Sequence, residues 1–472
     1  MNTTTTSRTL AVTAFTALSL GLAAPVATQE PAPAAPPPGA PTLDSVVAED
    51  LTSFATGMVA GVVVQGELDF LAAWGTPGRQ STDSLEATAL LASPGMTEIL
   101  VAVTVRALGA AGLLDPQAPL SRILAEATGR LGQVTLDQLL SHTSGLDNAA
   151  VPAGRTWAEA LDGLGDDAFV AEPGEVFSAS RYSYPLAARV LERAVGMPFA
   201  EIATQAVLTP LGMGRSTFDL DTARERGLTT GYRFDGSGPV AVEPVERAAG
   251  LPVLFTSTPD VLQLLSAWMS GGIRGSSPLG AAPADVPRMD PARHFSDGLT
   301  QDVEALVPQA AINRDDLGFR TTIHLYPEQE TGLFIWANGP VPGRTIVWIR
   351  SLLAEAVGDV ETSMASQGIP VRRTVDPTFM PDGLDDLAEW VGLYRNGSAL
   401  IGLQFSEGQL RFFDGEDTYP LQGVGPATFA YVGESTSGPP LQLLRLGDRL
   451  IVLYGNLAYA WESAEVTAPG GG

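Results

Sequence analysis

The side chains able to do chemistry in this chain are few, and the most telling is one it lacks. No lysine occurs at any of its 472 positions, so all 27 strongly basic residues are arginines. A guanidinium keeps its proton at ordinary pH and cannot replace lysine as a base. Cysteine is also absent, which removes thiol nucleophiles, disulfides and thiolate metal sites. The three histidines, His142, His294 and His324, stand far apart without ligand spacing, so a zinc centre is not expected. The acidic run Asp414-Gly415-Glu416-Asp417 lacks the spacing of a calcium loop and reads as a solvated turn. No cofactor is implied. Among hydroxyls, Ser93 precedes Met96 by three residues, but a serine without a neighbouring base is barely nucleophilic. The plainer reading of Ser93 is a helix N-cap. Arg181 and Arg314 could receive an anionic group or pair with acids such as Asp315 and Asp316.

The formal charge of -26 repels nucleic acid and anionic lipid over a Debye length, so neither is an expected partner. At the N-terminus Arg8 precedes an apolar stretch, Leu10 to Ala24, with small residues from Ala23 to Ala27. This pattern reads as a secretory signal over 1–27, and places the mature protein in the periplasm or outside the cell. A bilayer span needs about 20 apolar residues, more than this segment offers, and no later stretch supplies them. Without cysteine, no lipoprotein anchor follows either.

The elements that must position any site follow a clear order. Residues 28–42 are rich in proline and alanine and favour an extended spacer. Asp44 to Phe54 reads as a helix, and Met58 to Gln65 and Leu68 to Trp74 as a strand hairpin. Helical spacing returns from Glu98 to Gly112, Thr135 to Leu140 and Leu186 to Val195. Strands follow at Thr321 to Tyr326 and Gly332 to Ala337, then a helix from Thr345 to Val357. These elements predict an α/β sandwich over 43–360 with strands at both ends. After a linker at 361–383, short alternating segments (Leu400 to Phe405, Gln409 to Phe413, Arg449 to Tyr454) predict a separate all-β domain at 384–466. A glycine-rich tail, 467–472, ends the chain.

Within this frame, Ser141-His142-Thr143-Ser144-Gly145-Leu146, preceded by Val134 to Leu140, resembles the His-Thr-Ser-Gly-Leu signature of the serine β-lactamase-like hydrolases. That family includes class C β-lactamases, penicillin-binding DD-peptidases and esterases. Gly112 to Leu120, Pro173-Gly174 with Phe177, Leu208 to Met213, and Ala249-Gly250 with Ser257-Thr258 and Asp260 resemble further family landmarks in the same order. The resemblance implies the α/β (α+β) β-lactamase/transpeptidase-like sandwich, with an antiparallel sheet and a helical region. A lipocalin-like all-β barrel is expected behind it.

The resemblance also implies three catalytic motifs, and none is intact. In Ser-x-x-Lys, a lysine sharing a helix face with the serine activates its hydroxyl. By local likeness Ser93 and Met96 occupy those places; counted back from Gly112, Gly95 and Glu98 do, and the two registers stay open. Tyr-x-Asn is replaced by Ala179-Ser180-Arg181. The strand motif, Lys-Thr-Gly or His-x-Gly, is replaced by Ile312-Asn313-Arg314, where an arginine takes the place of a glycine that lets backbone approach ligand. His142 belongs to the structural turn of the signature, and His324 alternates with apolar neighbours on a strand. The expectation is an exported pseudoenzyme that binds or scaffolds a protein or cell-envelope partner. The rival is a serine hydrolase with a rearranged site using Ser93 or another hydroxyl.

Overall fold

The computed structural model describes most of 55–341 and 387–463, together with positions 47 and 51; within 55–341 the longest stretch left out is 270–294. The expected leader, both linkers, the helix at 345–357 and His294 lie outside the described residues, as does most of the expected first helix.

The opening hairpin consists of β1 (Gly57–Val64) and β2 (Glu67–Gly75). Gln65 and Gly66 join them with φ of 52° and 78°, the left-handed pair that a two-residue turn needs to match strand twist. Its partners come from the far end of the domain: β3 (Phe295–Ser296), β4 (Leu299–Asp302), β5 (Gln309–Asp316), β6 (Phe319–Tyr326) and β7 (Thr331–Ala337). The seven-stranded order is β2-β1-β7-β6-β5-β4-β3. Met58 faces Ala337 and Val64 faces Thr331 across the β1–β7 seam, so the sheet closes the domain's two ends on each other.

Helix α1 (Pro94–Ala110) runs through the middle of the main core. Its residues from Met96 to Val105 are almost all buried, as expected of a helix apolar on every side. It starts four residues before the expected Glu98. Pro94 sits in its first turn, where a missing N–H costs nothing and a fixed φ favours helix, so proline here opens the helix rather than preceding it. Helix α2 (Leu136–Leu140) has a reciprocal cap: the Thr135 hydroxyl accepts from the Gln138 amide, while the Gln138 side chain accepts from the Thr135 amide. Helix α3 (Ser183–Val195) ends at Gly196 in the left-handed conformation, φ 81°. Helix α4 (Thr258–Met269) lies on the sheet, and Gly61 lets it come close: a Cβ there would stand 2.4 Å from Leu262 Cδ1. Trp336 Nε1 donates to the Thr258 hydroxyl at 3.0 Å and fastens helix to strand.

The C-terminal region is a closed eight-stranded barrel: β8 (Gly392–Asn396), β9 (Ala399–Ser406), β10 (Gln409–Phe413), β11 (Thr418–Gly425), β12 (Thr428–Tyr431), β13 (Leu441–Leu446), β14 (Arg449–Tyr454) and β15 (Leu457–Ser463). Consecutive strands pair, and β8 returns to β15 with Tyr394 opposite Trp461. Tyr394, Leu403, Phe412, Leu441 and Val452 fill it, with Trp390 against them. Its outer wall meets the first domain through Ile451 and Ala458 packed on Val170, Ala171 and Val176. Arg449 and Glu175 pair across the same seam. Among the described residues, no helix is long and apolar enough to cross a membrane.

Candidate functional site

The cleft expected to hold the chemistry is bounded by the first turns of α1, by β5, and by the segment 177–181 that leads into α3. The direction in which each α1 residue points separates the two possible registers. Ser93 is 1% exposed and Met96 0%; both face the core and neither reaches the cleft. Ser93 stands at the N-cap position, but its side chain caps no amide, and its Oγ has no hydrogen-bond partner among the described residues. Of the two registers left open by the sequence, Ser93–Met96 places both side chains in the core.

Gly95 and Glu98, also three residues apart, share the opposite face. A Cβ built on Gly95 would lie 3.0 Å from Arg314 Cγ and 3.6 Å from Ile312 Cδ1, so its open side looks at β5. One turn later, Arg314 Nη2 donates to Glu98 Oε2 at 3.0 Å. Burial pushes the Glu98 carboxyl above its ordinary pKa, the Arg314 guanidinium pulls it back, and Asp316 adds to the rise. Arg314 therefore does not pair with Asp315, as its acidic neighbours suggested; Asp315 pairs with Arg320 at 2.8 Å. Ile312 is buried beside Gly95, and Asn313, on the other face of β5, accepts from the Thr322 hydroxyl.

The third wall contains Ala179, half-buried, and Arg181, exposed. Between them, Ser180 donates its amide proton to His142 Nδ1 at 3.2 Å. The Ser183 hydroxyl lies 3.1 Å from the same nitrogen. With Nδ1 accepting from Ser180, the ring carries its proton on Nε2. His142 is edge-on to Tyr184 and Phe177, at centroid distances of 5.5 and 6.3 Å. Burial, reinforced by the nearby Arg314 charge, lowers its pKa to about 3. A neutral, enclosed imidazole whose lone pair is already engaged holds the 177–183 segment in place and is a poor base. Its φ of 52° is the left-handed geometry of a tight turn, which histidine tolerates better than branched residues.

Tyr182, the nearest phenol in the chain to the missing tyrosine, does not replace it. It is 4% exposed and packs edge-on to Trp157 at 5.9 Å. Burial first, and then the Asp147 carboxylate, raise its pKa. His324 is buried on β6 with its ring 5.0 Å from Tyr326, away from the cleft walls.

Two contributors gave no sequence signal. Asn148 Oδ1 accepts both the backbone and Nε protons of Arg181, at 3.0 and 3.3 Å. Asn396, from the barrel, accepts the Asn148 amide proton at 2.7 Å. Their partners are 33 and 248 residues away, a separation that no local pattern encodes.

Comparison with known proteins agrees with the fold. The family model described as Beta-lactamase matches residues 43–356. Esterase EstB of Burkholderia gladioli is 32% identical over 178 residues, covering 33% of this chain and 45% of that protein. Penicillin-binding protein 4* of Bacillus subtilis (strain 168) is 25% identical over 273 residues, 51% of this chain and 57% of that one. The chain thus spans about half the length of these curated relatives. Among solved structures, that of SurE superposes with a TM-score of 0.67 at 19% identity, over 89% of this chain and 98% of that one.

Proposed function

Because the chain belongs to the beta-lactamase family, we propose that it is a member which keeps the fold without the family's serine chemistry and acts as a binding or scaffolding protein. The observation that carries this reading is the Glu98–Arg314 pair. Where the resemblance implies a lysine on the helix and an open glycine on the strand, a carboxylate and a guanidinium meet at 3.0 Å. Gly95, which faces the same strand, offers no hydroxyl. An arginine cannot accept the proton of a nucleophile. The Glu98 carboxylate is held by that arginine and finds no hydroxyl to deprotonate at Gly95.

The cleft's remaining polar groups suit recognition rather than turnover. Arg181 presents an exposed cation on the rim, and such a fork binds carboxylates or phosphates of a protein or envelope polymer. Export follows from the apolar N-terminal stretch behind Arg8 and belongs to the same proposal. The rearranged hydrolase using Ser93 receives no support from the geometry, because that hydroxyl is 1% exposed.

The deciding experiment is covalent labelling. Purified protein incubated with a fluorophosphonate and with a fluorescent penicillin is expected to take up neither, and to leave a simple aryl ester unhydrolysed. Stoichiometric labelling of one serine, with turnover lost when that serine becomes alanine, would overturn the reading.

A further inference from the structure

The barrel meets the wall of the cleft through a buried asparagine, Asn396, and its neighbour in the barrel, Ala458. Asn396 ends β8 and is 1% exposed, and its side chain bonds both across the seam and back to the barrel. Its Oδ1 accepts the Asn148 amide proton at 2.7 Å. Its Nδ2 donates to Ser178 Oγ at 3.1 Å and to the Ala458 carbonyl at 2.7 Å. Ser178, itself fully buried, accepts a second proton from the Ala458 amide at 3.1 Å. Its own amide donates to the His142 carbonyl at 2.8 Å. The next residue, Gly397, has φ 57°, and a Cβ there would come within 2.6 Å of the Ala149 backbone; the turn fits only as glycine. Buried polar networks with every member satisfied fix one arrangement strongly, because each lost partner strands another group away from water.

The cleft side of this network ends on Arg181. Asn148 receives the barrel's bond through its amide and, through its side chain, accepts the Arg181 backbone and Nε protons. We propose that Asn396 is a positioning residue for the cleft: from the barrel it sets Asn148, and through Asn148 it aims the Arg181 guanidinium at the rim. The barrel is then a fixed wall of the cleft, and removing its hold loosens the 148 and 181 positions before it loosens either domain. The inference takes its use from the binding reading proposed above. Its test requires no ligand and no catalysis, so it can fail while that reading stands, and the reverse.

Amide hydrogen exchange on the full-length protein decides it. In Asn396→Ala, the amides of Asn148 and Arg181 are expected to exchange at least ten times faster than in the parent. The amides of Ile323 in the sheet and Leu403 in the barrel are expected to stay within twofold. Faster exchange at Asn148 with Arg181 unchanged would overturn the proposal, since the bond would then be only a local fastening. Equal acceleration at Leu403 would also overturn it, because Asn396 would then serve barrel stability rather than the cleft. Ser178→Ala supplies a second variant that leaves Asn396 in place. It is expected to release the Ala458 amide and keep Arg181 within twofold; release of both would exclude the route through Asn148.

Discussion

Glu98 and Arg314 join the second turn of α1 to β5 through one hydrogen-bonded ion pair, Nη2 to Oε2, 3.0 Å long. Its side chains are 26% and 45% exposed, so solvent screens it and its contribution to stability is small. Glu98→Gln is expected to change the unfolding free energy by no more than about 1 kcal/mol, as read from urea denaturation at neutral pH. The sign with pH is fixed by the raised carboxyl pKa. A raised value means that the folded state binds the proton more tightly than the unfolded state. The charged carboxylate therefore costs stability above the unfolded pKa, and the cost fades as pH falls through the folded pKa. Glu98→Gln should flatten this part of the profile just above the ordinary carboxylate range.

The facing directions of α1 make restoration a test of register. One design introduces Gly95→Ser, Glu98→Lys, Ala179→Tyr, Arg181→Asn, Ile312→His and Arg314→Gly. Removing Arg314 clears the atom 3.0 Å from the new Cβ at position 95. The other design keeps Ser93, adds Met96→Lys and carries the same four distal changes. The first is expected to gain fluorophosphonate labelling at residue 95 and the second none. Labelling of the second alone would contradict the orientation of the helix described above.

Much of the fold could be read from the chain because it is local. Hairpin turns, the Thr135–Gln138 cap and the alternating barrel segments are set by neighbours in sequence, and the strands at Gln409–Phe413 and Arg449–Tyr454 fall where alternation places them. The register at the head of α1 could not be read, because Ser93–Met96 and Gly95–Glu98 have the same three-residue spacing and only their surroundings separate them: the first pair is buried, and the second faces β5. The partner of Arg314 was hidden for a different reason. Asp315 and Asp316 are its sequence neighbours, but Asp315 points to the opposite face of the strand, and the acid that meets Arg314 lies 216 residues away. Asn396 carried no signal at all, since its role exists only once the barrel has docked.

Ser93 offers a test in which the stability effect and the catalytic effect have opposite meanings. Its hydroxyl is buried without a hydrogen-bond partner among the described residues. A stranded polar group of this kind costs about 1–3 kcal/mol. Ser93→Ala is therefore expected to leave the protein equally or more stable, with the denaturation midpoint unchanged or raised by an amount equivalent to about 1 kcal/mol. A marked loss of stability would mean that the hydroxyl has a partner after all.

His142 gives the clearest dependence on acid. Its pKa falls from 6.5 to about 3 on folding, chiefly through burial and secondarily through Arg314. Between those values the unfolded chain binds a proton that the folded protein refuses, so folding stability falls as pH is lowered. The slope from this one residue is about 1.4 kcal/mol per pH unit. The loss begins near pH 6.5, and the full stability is present above it. His142→Asn is the suitable comparison, because asparagine tolerates the left-handed backbone at this position, φ 52°. The substitution lowers stability at every pH by removing ring contacts with Tyr184 and Phe177, so the quantity to compare is the slope. Urea unfolding of both proteins at intervals from pH 7 to pH 4 is expected to give a shallower decline for the variant by about one proton. Parallel declines would mean that His142 is protonated in the folded state. In that case Nδ1 could not accept from Ser180, and the hold of His142 on the 177–183 segment would need a different account.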